Sequence, residues 1–164
     1  GDGCIISGVF KGFEDLLKLG LIKKIPTIVA VQSEKSDNIV RNLDNDKFVT
    51  KPSTTIADSI AVDIPRNYWM TKKFMDEYAG ESVIVSDDEI ISASKVLSEN
   101  TGIFSEPAAA TAFAGIMKYA EKELIDEKSK NVVLLTGSGL KDLKSVQGII
   151  DTPKPIKKLD EIKL

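Results

Sequence analysis

The sequence predicts an α/β fold, a three-layer parallel sheet with helices on both faces, and two observations predict it. Short, largely apolar runs at Thr27–Val31, Ser82–Val85 and Asn131–Leu135 lack the alternation of a half-exposed strand and read as strands covered on both faces. Between them lie segments with apolar residues at three- and four-residue steps, long enough for the crossover helices that parallel strands require.

Each element carries its own signals. From Gly3 to Leu21, Ile5, Ile6, Val9, Phe13, Leu16 and Leu17 recur with Lys11, Glu14, Asp15 and Lys18 between them, which predicts a helix with one buried face; Gly20 and Pro26 bracket its end. After the strand at Thr27–Val31, Ser36 is placed to cap a short helix through Asp37–Leu43, and Asp44–Ser53 has turn chemistry. Thr54–Ile64 mixes helix and strand signals. Pro65 starts a helix expected to reach Ala79, with Gly80 as its left-handed cap and Tyr68 and Trp69 on its core face. Past the strand at Ser82–Val85, Ser86 and Glu89 form a capping box, and Ile90, Ile91, Ala93, Val96 and Leu97 supply the stripe of the next helix. Pro107 opens an alanine-rich helix over Ala108–Leu124, suited to close packing. The strand Asn131–Leu135 ends in the turn Thr136–Gly139, and beyond Ser145 the chain turns Lys/Pro-rich.

A chain of 164 residues suffices for one core. Residues 1–150 are read as the α/β unit and 151–164 as a C-terminal tail. A net charge of −3 with no basic stripe gives no electrostatic footprint for nucleic acid. The apolar runs fall far short of the ~20 residues that span a bilayer, no leader pattern opens the chain, and the single cysteine forms no internal disulfide, so the cytoplasm is the expected setting. The sequence contains no histidine, which excludes imidazole triads and His-ligated metal sites within it; no metal site is expected.

Three stretches could carry chemistry. Gly1-Asp2-Gly3-Cys4-Ile5-Ile6-Ser7-Gly8 runs into a helix, where unpaired N–H groups and the dipole hold a small anion and glycines let the main chain approach it; a simple tight turn is the competing reading. Thr136-Gly137-Ser138-Gly139-Leu140-Lys141-Asp142 follows a strand, so its hydroxyls emerge at the carboxyl edge where ligands collect in such sheets. They could bond a heterocyclic nitrogen or merely local backbone. Glu106, ahead of Pro107, reads as a dipole-stabilising carboxylate, and Cys4 as a small buried apolar residue rather than a nucleophile.

These stretches, with Lys11-Gly12-Phe13, Val31-Gln32-Ser33-Glu34, Thr55-Ile56-Ala57-Asp58-Ser59-Ile60 and Gly102-Ile103-Phe104-Ser105-Glu106-Pro107-Ala108, stand in the order seen in threonine synthases. The chain resembles the C-terminal half of such an enzyme, a member of the β-family, fold type II, of pyridoxal-phosphate enzymes. The resemblance implies that the cofactor phosphate is wrapped by main-chain amides of Gly1, Asp2, Gly3, Cys4 and Ile5 and that Thr136 bonds the pyridine nitrogen, leaving it unprotonated. It implies conversion of O-phosphohomoserine and water to threonine and phosphate. The Schiff-base lysine is expected upstream of Gly1, so no catalytic residue is assigned within this chain, which is expected to be inactive alone. Expected partners are that N-terminal half, an amino-acid substrate and, as one oligomeric option, a second copy in a homodimer. Lys35 departs from the family, where a glycine usually follows Gln-x-Glu. Alternatives are a sister activity, cysteate synthase or serine/threonine dehydratase, or a noncatalytic domain that binds a phosphorylated ligand.

Overall fold

The computed structural model describes residues 1–147; the tail expected at 151–164 lies outside the described residues. In chain order the elements are helix α1 (Cys4–Lys18), strand β1 (Val29–Ser33), helix α2 (Tyr68–Glu77), strand β2 (Glu81–Val85), helices α3 (Asp87–Thr101) and α4 (Pro107–Glu121), and the short helix α5 (Lys144–Gln147). Single 3-10 turns occur at Val40–Asn42, Asp58–Ile60 and Gly139–Lys141.

β1 and β2 pair in parallel, from Val29 opposite Glu81 to Ser33 opposite Val85. Side chains alternate across the pleat, so Ala30 faces one way and Val31, Val83 and Val85 the other. Against the Ala30 face pack Phe10 of α1 with Phe74 and Met75 of α2, the Phe10 and Phe74 rings stacked at 5.7 Å. Against the opposite face, Val85 packs with Ile90 and Ala93 of α3 and Ala110 and Ala114 of α4. Helix, sheet and helix layers result, as the apolar runs require: a strand buried on both faces needs cover on both.

The helix ends follow their chemistry. Ser86 Oγ accepts the Glu89 N–H at 3.1 Å while Glu89 Oε2 accepts the Ser86 N–H at 2.6 Å, completing the capping box, and Gly102 closes α3 at φ 71°. Pro107 occupies the first turn of α4, where its missing N–H loses nothing. Gly115 is what lets α4 approach the sheet, since a β-carbon there would overlap the Val31 side chain.

Several expectations are corrected. Asn131–Leu135 does not join the sheet: among the described residues the sheet has two strands, and Val132 is 87% exposed. An apolar run specifies a strand only when a neighbouring strand is there to receive its N–H and C=O groups. Ala79 at φ 49°, not Gly80, takes the left-handed position after α2; Gly80 is required because a β-carbon there would press on Phe10 and Met75. Ser36 does not cap a helix: its hydroxyl donates to Ile60 O at 2.9 Å and accepts the Val62 N–H at 3.2 Å, stitching the 36–62 excursion to itself. The segment it was to cap is only the 3-10 turn Val40–Asn42, held instead by Gln32, whose Oε1 accepts the Ile39 and Val40 N–H groups. Tyr68 is buried and donates to Asn42 O, but its neighbour Trp69 is 63% exposed, one helical step off the core face. Among the described residues no helix is long and apolar enough to cross a membrane.

Candidate functional site at the carboxyl edge

Gly3 opens α1 in the left-handed region at φ 81°, and a β-carbon on it would overlap Thr71 Oγ1 and crowd Ile39 Cδ1 at 3.1 Å. Only glycine fits this corner. The loop is fixed from behind: Asp2 O accepts the Asn67 N–H and Asp2 Oδ1 the Arg66 N–H, both at 3.0 Å. The Thr71 hydroxyl lies 3.2 Å from Gly3 O and 2.9 Å from Ser7 Oγ, joining α2 to the first turn of α1. No side chain caps α1, so the N–H groups of its first turn are left for another acceptor. Cys4 and Ile5 are exposed at that turn, which corrects the reading of Cys4 as buried. The Asp2 carboxylate is engaged by the Arg66 amide and so braces the loop.

The second glycine turn is clamped onto the start of α4. Gly139 N–H donates to Phe104 O at 3.0 Å, Glu106 N–H donates to Gly137 O at 3.1 Å, and Ser105 and Ser138 form an antiparallel bridge. A β-carbon on Gly137 would overlap the Glu106 carboxylate, and one on Gly139 the Phe104 ring. Glu106 was expected to stabilise the helix dipole, and it occupies the N-cap position; its side chain makes no cap bond and lies along the Gly137 backbone, 3.4 Å from Lys141 Nζ. Ser138 supplies the local bond of the turn, accepting from Leu140 N at 3.3 Å. Thr136 is exposed, and among the described residues its hydroxyl has no partner.

Both turns lie at the carboxyl ends of the strands. α1 starts beside Ile39, just past β1, and Phe10 further along it reaches Gly80, just before β2; α1 therefore runs against the strands. α4 does the same: Ala110 packs on Val85, while Tyr119 near its end donates to Glu81 Oε2 at 2.7 Å. Ile60 joins the two regions: a β-carbon on Gly1 would lie 3.5 Å from it, and it packs on the cluster that contains Ala110.

The same edge holds a polar centre that sequence reading missed. Asp87, at the first position of α3, is buried, and its carboxylate accepts from Thr55 Oγ1 at 2.6 Å, Lys35 Nζ at 2.9 Å, Ser33 Oγ at 3.3 Å and Ile56 N at 3.4 Å. Burial alone would push this carboxyl up, but the hydrogen bonds from Thr55, Lys35 and Ile56 outweigh it and hold it below its ordinary range. Lys35, the residue that departs from the expected Gln-x-Glu-Gly pattern, is thus an ion-pair partner of Asp87, and that bond raises its pKa. The only signal in the sequence was the recurrence of Ser33, Thr55 and Asp87 in separate polar stretches, which no spacing rule links.

The fold is a parallel α/β body with two glycine turns at its carboxyl edge, one of them opening an uncapped 15-residue helix whose first-turn N–H groups suit a small anion. The comparisons sharpen this: residues 1–137 match the family described as pyridoxal-phosphate dependent enzyme, and the chain belongs to that family. It is 34% identical over 140 residues to the threonine synthase of Methanocaldococcus jannaschii, which covers 84% of this chain and 35% of that protein. It superposes on the processed form of threonine deaminase isoform 2 from Solanum lycopersicum with a TM-score of 0.69 at 24% identity (91% of this chain, 40% of that one). For the threonine synthase of Escherichia coli the TM-score is 0.61 at 22% identity (85% and 33%). The chain therefore spans a little over a third of the length of the relatives it matches.

Pyridoxal phosphate is the family's cofactor, and the residues present fit it. The corner at Gly3 excludes any β-carbon, the first-turn amides of α1 are uncapped, and a hydroxyl without a partner among the described residues stands at the second turn of the same edge.

Proposed function

We propose that this chain is the cofactor-phosphate-binding portion of a threonine-synthase-like enzyme, acting on O-phosphohomoserine and water to release threonine and phosphate. The observation that carries the reading is the glycine corner at Gly3, which presents an uncapped helix start at the edge where ligands of parallel sheets bind. Main-chain amides from Gly1 to Ile5 hold the phosphate, with Asp2 and Thr71 keeping the loop in place. The Thr136 hydroxyl donates to the ring nitrogen; a hydroxyl, unlike a carboxylate, does not stabilise its protonated form. When bound, the cofactor supplies the electron sink for carbanion chemistry at the substrate.

The covalent attachment of the cofactor falls to a lysine in the remainder of the fold. Lys35 and Lys141, both at this edge, are each engaged by a buried carboxylate, Asp87 and Glu106. A partner portion also accounts for the exposed stripe of α1, Ile5, Gly8, Gly12 and Leu16 with Leu19 just beyond, which faces away from the core with no neighbour near either glycine. The cytoplasm suits such an enzyme.

The test has two arms. The isolated chain is expected to bind pyridoxal phosphate reversibly, seen by phosphorus NMR, with borohydride fixing no stoichiometric adduct at a single lysine. Joined to the N-terminal portion of the Methanocaldococcus jannaschii relative, it is expected to turn over O-phosphohomoserine. Turnover instead of serine or threonine, or of O-phosphoserine with sulfite, would replace the reading with the dehydratase or cysteate synthase activity. Covalent attachment and turnover by the isolated chain would refute its dependence on a second portion.

A further inference from the structure

The cofactor reading gives no role to Glu106 and Lys141, although both lie beside the Thr136 turn. Glu106 is 5% exposed, and its carboxylate is laid along the Gly137 backbone, the residue next to Thr136. A buried carboxylate with no cap bond needs a compensating charge, and Lys141 provides it at 3.4 Å from across the turn. Glu106 reaches the turn from the start of α4 and Lys141 from the 3-10 turn that follows Ser138. Two backbone hydrogen bonds, Glu106 N–H to Gly137 O and Gly139 N–H to Phe104 O, tie the same turn to the start of α4. Gly137 is then the one residue type that lets the carboxylate close on the main chain.

We infer that Glu106 and Lys141 are positioning residues, a charge-neutral clamp that sets the Thr136 hydroxyl against the ring of bound pyridoxal phosphate; this rests on the reading that Thr136 meets that ring. Neutrality matters as much as position. An uncompensated carboxylate this near the turn would favour protonation of a ring nitrogen held there, and the paired lysine cancels that field. The clamp thereby keeps the nitrogen in the unprotonated form that a hydroxyl partner suits.

The variants are Lys141→Met, Lys141→Arg, Glu106→Gln and Thr136→Ala in the 164-residue chain. Lys141 is more than half exposed, so its replacement opens no cavity, and far-ultraviolet circular dichroism of each variant checks that the body is folded. Two readouts are taken: amide hydrogen exchange at Glu106 and Gly139 without cofactor, and the absorption spectrum of bound pyridoxal phosphate across a pH series. Lys141→Met is expected to speed exchange at both amides by roughly tenfold, the equivalent of about 1.4 kcal/mol, while Lys141→Arg stays near wild type. Lys141→Met is also expected to raise the pH at which the bound cofactor's spectrum changes, and Glu106→Gln to lower it. A spectrum altered by Thr136→Ala but untouched by Lys141→Met and Glu106→Gln overturns the clamp and keeps the cofactor reading. Unchanged exchange in Lys141→Met likewise overturns the clamp. A wild-type chain that binds no pyridoxal phosphate, or a Thr136→Ala chain with an unaltered spectrum, overturns the underlying reading and the clamp with it.

Discussion

Replacing Asp87 by asparagine removes a charge while keeping the shape, and the structure sets the size of the loss. The strongest contact is the Thr55 hydroxyl at 2.6 Å, a charge-assisted bond worth roughly 1.5–3 kcal/mol to a buried carboxylate. Lys35 lies 2.9 Å away but is 47% exposed, so solvent screening leaves at most ~0.5–1 kcal/mol from that pair. The first-turn position on α3 adds ~0.3–1 kcal/mol from the dipole. Against these stands the relief of no longer burying a charge, and the amide oxygen still accepts from Thr55, so the net loss is about 2 kcal/mol. For a chain of this size that lowers Tm by about 4–8 °C. The pH dependence has a definite sign. A carboxyl held below its unfolded value contributes stability that is full above the unfolded pKa of about 3.9 and is lost as pH falls through the folded one. The gap between wild type and Asp87→Asn should therefore be constant from about pH 6 to 8 and shrink below about pH 4. Urea melts at a series of pH values measure it. A gap under ~0.5 kcal/mol at neutral pH, or one that widens in acid, refutes the reasoning.

Three further outcomes follow from the packing. Gly115→Ala should destabilise by about 1–3 kcal/mol because the new methyl overlaps Val31. Adding Val31→Ala should recover part of that loss, a non-additivity read from urea midpoints. Gly3→Ala should lose more than about 1 kcal/mol, from the left-handed backbone together with displacement of Thr71, whereas Gly12→Ala, in open space within α1, should gain ~0.5–1 kcal/mol in a thermal melt. Tyr78 is pushed up to about 12 by burial and its bond to Glu14, and Tyr119 to about 12 by burial and its bond to Glu81. An ultraviolet titration should show neither phenolate at pH 10 to 11 in the folded chain, and stability should fall as pH rises past the unfolded value of about 10.

The helices were legible because their signals are local. Ser86 with Glu89, Pro107, and the period of α1 each act within a turn or two, and the structure places them where those patterns point. Strand pairing is not local, and there sequence and structure part, as they do at Ser36, whose hydroxyl stitches a loop instead of capping a helix. Val132–Leu135 has the composition of a buried strand, but composition names no neighbour, and the described residues offer none. At the site, Gly3 was legible from its place before a helix, yet its obligatory character comes from Thr71, far along the chain. The roles of Glu106 and Asp87 were hidden for the same reason. Each carboxylate sits at a helix start, where a dipole reading suffices, and only the fold reveals the partners Lys141, Thr55 and Lys35.

The bond between Ser7 and Thr71 spans 64 residues, and Phe10 meets Phe74 over the same distance in sequence. Closing a loop of that length forfeits roughly 4 kcal/mol of chain entropy before any contact repays it. α1 alone is marginal at 15 residues, so it cannot wait in helical form for its neighbours. The α3–α4 hairpin, by contrast, closes over the short Gly102–Glu106 link and can assemble early. Refolding should accordingly show two tempos: a fast phase that buries Ile90, Ala93, Ala110 and Ala114, and a slower one in which the glycine corner at Gly3 is the last part to form. Newly made chain would then pass through a stage with a formed helical hairpin and an unformed glycine corner.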